Sequence, residues 1–336
     1  MKKSGLIILA VFLLLFSVSC DTSFFSHDGQ KVTVMVVGLD YARKGGSVTN
    51  LSWGSFDIPP LNGTINDAKE IGAALDSLYR DRGIEHEMVF LISEGGDVDV
   101  FYDSLYPTSS NVLEVIDELK LKLDKDDLFV FYFAGHGFLQ QRVEGGVVKN
   151  NLQLITAEPY IGSPCTSLDY ETLLASFRSL PCRSAVIIDA CYSGSFDPMN
   201  NTTPASFESS IRNIFEENIV TREDNKISVL AAAKWNERSW EGYKVKFPDG
   251  SEEEHGQFSG SILDILGWTH SNTATTVVKN IDGSEIVANG REGKLYGALS
   301  LDDIYSKLFD YRNYPAVAQY PVLYYTNETI NLVPAN

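Results

Sequence analysis

The sequence predicts an α/β domain built on a mostly parallel sheet with helices on both faces. Three observations point there. Short apolar runs rich in Val, Ile and Phe alternate with amphipathic stretches along most of the chain, the order that yields parallel strands joined by right-handed crossovers. Several runs are apolar throughout, as strands buried on both faces are. Two of them end in small-residue turns that carry a histidine and a cysteine, and open parallel sheets place their sites beyond the carboxyl ends of strands.

The elements follow in order. Lys31 to Leu39 (KVTVMVVGL) is β-branched and apolar and reads as a buried strand. Tyr41 to Gly63 carries Gly, Ser, Asn and Pro59-Pro60 and reads as a loop. Thr64 to Arg80 places Ile65, Ala68, Ile71, Leu75 and Leu78 at helical steps, with Gly83 beyond the end. Glu87 to Ile92 is a second strand, Ser110 to Leu123 a second amphipathic helix, and Asp127 to Ala134 (DLFVFYFA) a third strand. A helix over Asp169 to Arg178 and strands over Ser184 to Ile188 and Ile227 to Ala233 continue the alternation. Phe258 to Leu266 and Leu301 to Tyr311 read as helices, His270 to Leu295 as a β-rich insertion, and Pro321 to Tyr325 as a last strand.

The N-terminus follows a different pattern. Met1-Lys2-Lys3 is positive, Gly5 to Phe16 is almost unbroken apolar sequence, and Ser17-Val18-Ser19 precede Cys20. Residues 1–20 thus have the charge, length and exit of a secretory signal, and the apolar run is short for a bilayer span of roughly 20 residues. Cys20 after small residues resembles the lipobox of bacterial lipoproteins, with Ser17 where that family usually carries Leu. The resemblance implies lipidation of Cys20 and a folded domain outside the cytoplasm, held to a membrane of the bacterial cell envelope. Residues 21–30 read as the tether and 31–336 as the folded domain. The formal net charge is −18 and no basic run exists, which argues against nucleic acid as a partner.

Past Cys20 the cysteines are Cys165, Cys182 and Cys191. An odd count outside the cytoplasm suggests a free, reactive thiol; Cys165 and Cys182 could pair. No Cys/His cluster has zinc-ligand spacing, so no metal centre is expected. The chemistry sits in Ala134-Gly135-His136-Gly137 and Asp189-Ala190-Cys191-Tyr192-Ser193-Gly194, each at a predicted strand end. A cysteine nucleophile needs a base beside it and donors for an oxyanion. The small residues let a substrate backbone approach, and His136 precedes Cys191 by 55 residues, near the caspase spacing of about 50. His27, His86, His255 and His270 have no motif partners and read as incidental. Trp235 and Trp240 read as packing residues, with substrate contact the lesser option.

These segments resemble the caspase and metacaspase superfamily of cysteine peptidases. Val34 to Leu39 is similar to its first strand, Leu61 to Ala68 (LNGTINDA) to the metacaspase segment that opens the first helix, and Phe131 to Gly137 to the strand ending in His-Gly. Val186 to Gly194 is similar to the strand ending in Asp-x-Cys-x-x-Gly. Ile227 to Ala233, then Glu237, Glu241 and Gly256-Gln257-Phe258-Ser259, resemble the small-subunit half. The resemblance implies a large-subunit-like part over 31–196, a linker over 197–226 and a small-subunit-like part over 227–336. It implies Cys191 as nucleophile, His136 as its acid–base partner, and the N–H groups of Gly137 and Cys191 as oxyanion hole.

Family members that cut after Asp carry Gln and Arg where this chain has Asp189 and Leu61. Metacaspases that cut after Arg or Lys line the pocket with the acids matching Asp67 and Asp189, so a basic residue is the expected substrate side chain. Asp67 could instead serve its helix dipole, and Asp189 a purely structural role. Phe138 to Asn151 holds one acid, Glu144, where many metacaspases carry a calcium-linked acidic cluster. No cofactor is therefore expected, and calcium activation is disfavoured. Arg212 and Arg222 in the linker are candidate self-processing sites. A catalytically silent, partner-binding module of the envelope is the alternative function.

Overall fold

The computed structural model describes residues 30–42, 58–94, 103–144, 147–158, 163–191, 227–234, 237–293, 299–310, 319–325 and 330–333. Outside them lie Cys20 with the whole of 1–20, the tether short of Gln30, the 197–226 linker with Arg212 and Arg222, and His27, Gly194 and Trp235. In chain order the first half contains β1 (Val32–Leu39), α1 (Thr64–Asp81), β2 (His86–Ser93), α2 (Ser109–Lys120), β3 (Leu128–Ala134), β4 (Gly137–Glu144), β5 (Val147–Ile155), β6 (Ser167–Asp169), α3 (Tyr170–Ser179) and β7 (Arg183–Asp189). The second half contains β8 (Ile227–Ala231), β9 (Glu241–Lys246), β10 (Glu252–Gly256), α4 (Gln257–Leu266), β11 (Trp268–Thr269), β12 (Thr275–Lys279), β13 (Glu285–Asn289), β14 (Arg291–Glu292), α5 (Leu301–Asp310) and β15 (Val322–Tyr325).

The central sheet has the order β2-β1-β3-β7-β8-β15. All neighbours are parallel except β15, which returns antiparallel along β8. The apolar runs form this sheet because it is covered twice. Met35, Val37, Phe129, Phe131, Phe133, Val186 and Ile188 face one layer, made by α2 and α3. Their sequence neighbours Val34, Val36, Val130, Tyr132, Ala185 and Ile187 face the other, made by α1, α4 and α5. Side chains alternate across a strand, so a strand with a core on each side must be apolar at every position. Each of the three Phe residues of β3 is fully buried, worth about 1.5–3 kcal/mol by removal from water.

Three helices start on side-chain caps: Thr108 Oγ1 accepts from Asn111 N–H at 3.2 Å, Asp169 Oδ1 from Thr172 N–H at 3.2 Å, and Ser300 Oγ from Asp303 N–H at 3.0 Å. Helix α1 has no such cap; the Gly63 N–H before it donates to Glu241 Oε1 at 2.8 Å. A residue of the second half thus fixes the start of the first helix. No helix among the described residues is long and apolar enough to cross a membrane.

Two features depart from the sequence expectation. Strands β4 and β5 pair antiparallel, and residues 241–256 form a hairpin, β9–β10. The second carries its turn signal, Asp249-Gly250, but the strands of both pairs hold many polar residues. β9 alternates half-buried and exposed residues along its length, as a strand with one wet face does. The segment read as β-rich contains the antiparallel β12–β13 hairpin.

Candidate active site

Strands β3 and β7 are neighbours, with Ala134 opposite Asp189. His136 and Cys191 each lie two residues beyond that pair, and Gly135 N–H donates to Asp189 O at 3.1 Å, so both turns leave the sheet side by side. Gly137 lies against the backbone of Cys191. A Cβ there would overlap the Cys191 carbonyl oxygen and meet Ala190 Cβ at 3.3 Å. The two residues expected to supply the oxyanion donors therefore share one small volume, which only a glycine at 137 permits.

The imidazole is oriented by backbone. His136 Nε2 lies 2.7 Å from Pro59 O; a carbonyl can only accept, so Nε2 carries the proton and Nδ1 is the free base. Tyr41 supports the same turn. Its hydroxyl accepts from His136 N–H at 2.9 Å and donates to Ile155 O at 2.7 Å, and its ring lies 4.7 Å from the imidazole. Tyr41 has φ 54°, a left-handed backbone unusual outside glycine, held here by those two hydrogen bonds. The thiol points elsewhere, Cys191 Sγ lying 3.6 Å from Ser239 O. Burial pushes the His136 pKa down and the Cys191 pKa up, and the Asp189 carboxylate adds to the latter. The resting pair is therefore neutral thiol and neutral imidazole.

Beneath Cys191 two carboxylates converge. Asp189 Oδ1 accepts from Ser239 Oγ at 2.5 Å, and Oδ2 from Ser259 Oγ at 2.6 Å and Ser259 N–H at 3.3 Å. Tyr132 Oη lies 2.6 Å from the same Ser259 hydroxyl, so the chain runs from tyrosine through serine to carboxylate. Asp67 Oδ2 accepts from Gly256 N–H at 2.9 Å, and Oδ1 lies 2.9 Å from His255 Nδ1. Gly256 sits between the acids: a Cβ there would be 2.5 Å from Asp189 Oδ2 and 3.1 Å from Asp67 Oδ2. Burial raises both carboxyl pKa values, and the neighbouring Asp189 raises that of Asp67 further. Among the described residues no lysine or arginine pairs with either.

The model of the caspase domain family matches residues 50–309. This chain belongs to the caspase domain family. The caspase domain brings with it the cysteine-peptidase type of fold, in agreement with the central, mostly parallel sheet and its helices. No curated protein matches the chain. A crystal structure of a protein from Geobacter sulfurreducens is similar over 88% of this chain and 93% of its own, at 16% identity and a TM-score of 0.48.

Within this caspase domain the structure brings His136, Gly137, Cys191, Asp67 and Asp189 to one end of the sheet. Asp67 lies in the first turn of α1, and its carboxylate is fully buried and bonded to β10. Cys165 and Cys182 are separate buried free thiols, and burial pushes Cys182 up to about 12. Trp240 is 42% exposed instead of packed, with its N–H on Gln319 Oε1 at 3.1 Å.

Several site residues escaped sequence reasoning. Ser239, Ser259 and Gln319 hold Asp189 and its surroundings, Gln319 Nε2 donating to Ser239 Oγ at 3.2 Å and to Ala232 O at 3.1 Å. Ser239 and Gln319 lie in loops and Ser259 in the first turn of α4, and single Ser and Gln residues carry no pattern that announces such a task. Three histidines read as incidental have partners. His86 Nε2 lies 3.0 Å from Asp76 Oδ1. His255 is fully buried on Asp67, and His270 Nδ1 lies 2.8 Å from Glu70 Oε2. The signal for His255 was present as the alternation Glu253-x-His255, which puts both side chains on one face of a strand.

Proposed function

We propose that this caspase-domain protein is a cysteine endopeptidase that cuts after Arg or Lys. The observation that carries the reading is the pair of buried carboxylates, Asp67 and Asp189, facing Gly256 beside Cys191, with no lysine or arginine paired to either among the described residues. Two buried acids that are hydrogen-bonded but not offset by a cationic side chain are costly, and a substrate guanidinium or ammonium would relieve that cost by charge-assisted hydrogen bonds. An acidic side chain would add a third negative charge and is rejected.

In this reading Cys191 Sγ bonds to the substrate carbonyl carbon. Its proton passes to His136 Nδ1, the nitrogen left basic by the Pro59 contact, and from there to the leaving amine. Water then hydrolyses the thioester. Because burial disfavours the thiolate and the imidazolium separately, proton transfer accompanies attack, and the developing oxyanion is met by the N–H groups of Gly137 and Cys191. No cofactor is needed, and activity is expected to be independent of calcium. The N-terminal pattern ending at Cys20 supports a lipid-anchored envelope location, and Arg212 and Arg222 offer self-processing positions of the preferred type.

The test is turnover of Arg-, Lys- and Asp-terminated fluorogenic peptides, with and without calcium, beside Cys191→Ala. Turnover of the basic peptides, lost in the variant, is the expected result. Preference for the Asp peptide would overturn the specificity. No turnover, together with no labelling of Cys191 by an arginyl active-site probe, would favour a silent binding module instead.

A further inference from the structure

Through His255, Asp67 touches a second cluster. Helix α1 places Glu70 one turn after Asp67, strand β10 puts Glu253 and His255 on one face, and His270 follows β11 directly. One ligand-capable atom from each of Glu70, Glu253, His255 and His270 lies within 4.8 Å of the other three. Glu70, Glu253 and His255 are buried, and the His270 side chain is 8% exposed.

The hydrogen bonds inside this cluster do not close. His255 Nδ1 faces the Asp67 carboxylate, which can only accept, so Nδ1 carries the proton and Nε2 presents a lone pair. That lone pair points among carboxylates: Nε2 lies 3.9 Å from Glu70 Oε2 and has no hydrogen-bond partner, although His255 is fully buried. Glu253 Oε1 accepts from Asn289 Nδ2 at 3.0 Å, but its Oε2 has no partner. The 2.8 Å approach of His270 Nδ1 to Glu70 Oε2 lacks hydrogen-bond geometry. Buried lone pairs converging with nothing to share are unfavourable by several kcal/mol in sum; a cation at their centre removes that cost.

We infer that Glu70, Glu253, His255 and His270 form a binding site for a divalent transition metal, zinc by its ligand set, and that the ion steadies Asp67 through His255. Two imidazoles and two carboxylates suit zinc, whereas calcium and magnesium take oxygen ligands. Two carboxylates also neutralise the ion. Zinc bonds of about 2.0–2.2 Å spread four ligand atoms over roughly 3.3–3.5 Å, so the widest separation, within 4.8 Å, closes by no more than roughly 1.5 Å. The Asp67–His255 contact is the carboxylate–histidine–metal arrangement that fixes a ligand's tautomer. The ion would tie α1, β10 and the exit of β11 together directly behind the acid pair. Metal binding stands by itself; only its effect on the pocket rests on the peptidase reading.

The experiment uses full-length Cys191→Ala protein, which removes the thiol of the dyad as a competing ligand. After chelation, incubation with excess zinc and gel filtration, elemental analysis should give one zinc per chain, with a melting temperature above that of the chelated protein. Cobalt in place of zinc should give the visible bands of a four-coordinate nitrogen–oxygen site without thiolate charge transfer. Adding Asp67→Asn should weaken zinc binding roughly 10- to 100-fold, and adding His270→Ala should abolish both the zinc and the thermal shift. If the His270→Ala protein fails to fold, Glu253→Gln and the cobalt spectrum decide. Absence of bound zinc in folded Cys191→Ala protein, which would leave protons to fill the cluster, overturns the inference. So does zinc retained unchanged by the His270→Ala or Glu253→Gln protein. Either outcome leaves the peptide assay on unmodified protein untouched, so the two readings fail separately.

Discussion

The two halves of the site are built differently. The side chains of the proposed dyad meet backbone: His136 the Pro59 carbonyl, Cys191 the Ser239 carbonyl. The acid pair is held by side chains and N–H groups gathered from β10, α4 and the loop after β8. The dyad is half-buried, while Asp67 and Asp189 are closed off. Groups that must pass a proton gain from few fixed partners, because each strong hydrogen bond to one protonation state opposes the change. Groups that must stay charged and in place gain from many. Substitutions in the dyad's frame should therefore act on kcat, and those in the pocket's frame on KM.

The largest effect is expected from Gly137→Ala. The added methyl overlaps the Cys191 carbonyl and must part the two turns proposed to supply the oxyanion donors. Loss of one such donor costs about 10²–10³-fold in kcat; steady-state kinetics on an Arg peptide should show that fall with KM little changed. A fall in KM-dependent terms alone would break the division between the two regions.

Asp189→Asn tests the pocket half. The Ser239 and Ser259 hydroxyls can rotate to meet an amide, so the fold should survive while the charge is lost. We expect kcat/KM for Arg peptides to drop by about 2 kcal/mol, roughly 30-fold, mainly through KM. The pH dependence points the same way. Burial holds the Asp189 pKa above the ordinary carboxylate value, and only the ionised form attracts a cation. KM for an Arg peptide should therefore rise on acidification at a pH above the usual carboxylate range, and the Asn variant should lack that limb. Tyr41→Phe is a smaller step: it leaves the His136 N–H without its acceptor, worth about 1–1.5 kcal/mol, and should lower kcat roughly 10-fold with KM unchanged.

The same contrast governs what the sequence made legible. The dyad sits at the ends of two apolar strands, and strand ends are where period and composition change sharply; His136, Cys191 and the sheet could be read from that change. The pocket draws Asp67 and His255 together across 188 residues, and only the family resemblance connected Asp67 with Asp189. Ser239, Ser259 and Gln319 act as single hydrogen-bonding groups without periodicity. The Glu70–Glu253–His255–His270 cluster takes residues from a helix, a strand and a loop, so no ligand spacing exists to be read. The β4–β5 and β9–β10 pairs were obscured for a related reason, since many polar residues along a strand hide it.

The smallest effect concerns a histidine away from the site and serves as a control on the whole comparison. His86 Nε2 meets Asp76 Oδ1 at 3.0 Å and Nδ1 meets the Ile84 carbonyl at 2.9 Å. The Arg80 guanidinium, 3.0 Å from Asp76 Oδ2, opposes its charge, and Glu87 and Lys279 border the same hollow. The Asp76 hydrogen bond, ahead of the opposing burial, raises the His86 pKa above 6.5. A histidine that binds its proton more tightly when folded adds stability below its unfolded pKa, and that contribution is lost as pH rises through the folded pKa. The melting temperature should therefore decline slightly as pH rises from about 6.5. For a partly exposed pair the change is below about 1 kcal/mol, roughly 2–4 °C or less in a domain of this size. His86→Gln keeps a hydrogen bond to Asp76 without the charge and should flatten that slope, leaving both kcat and KM for Arg peptides as they were. A change in either kinetic constant would mean that the far end of α1 is coupled to Asp67 through the helix, and the two-part description of the site would have to extend along it.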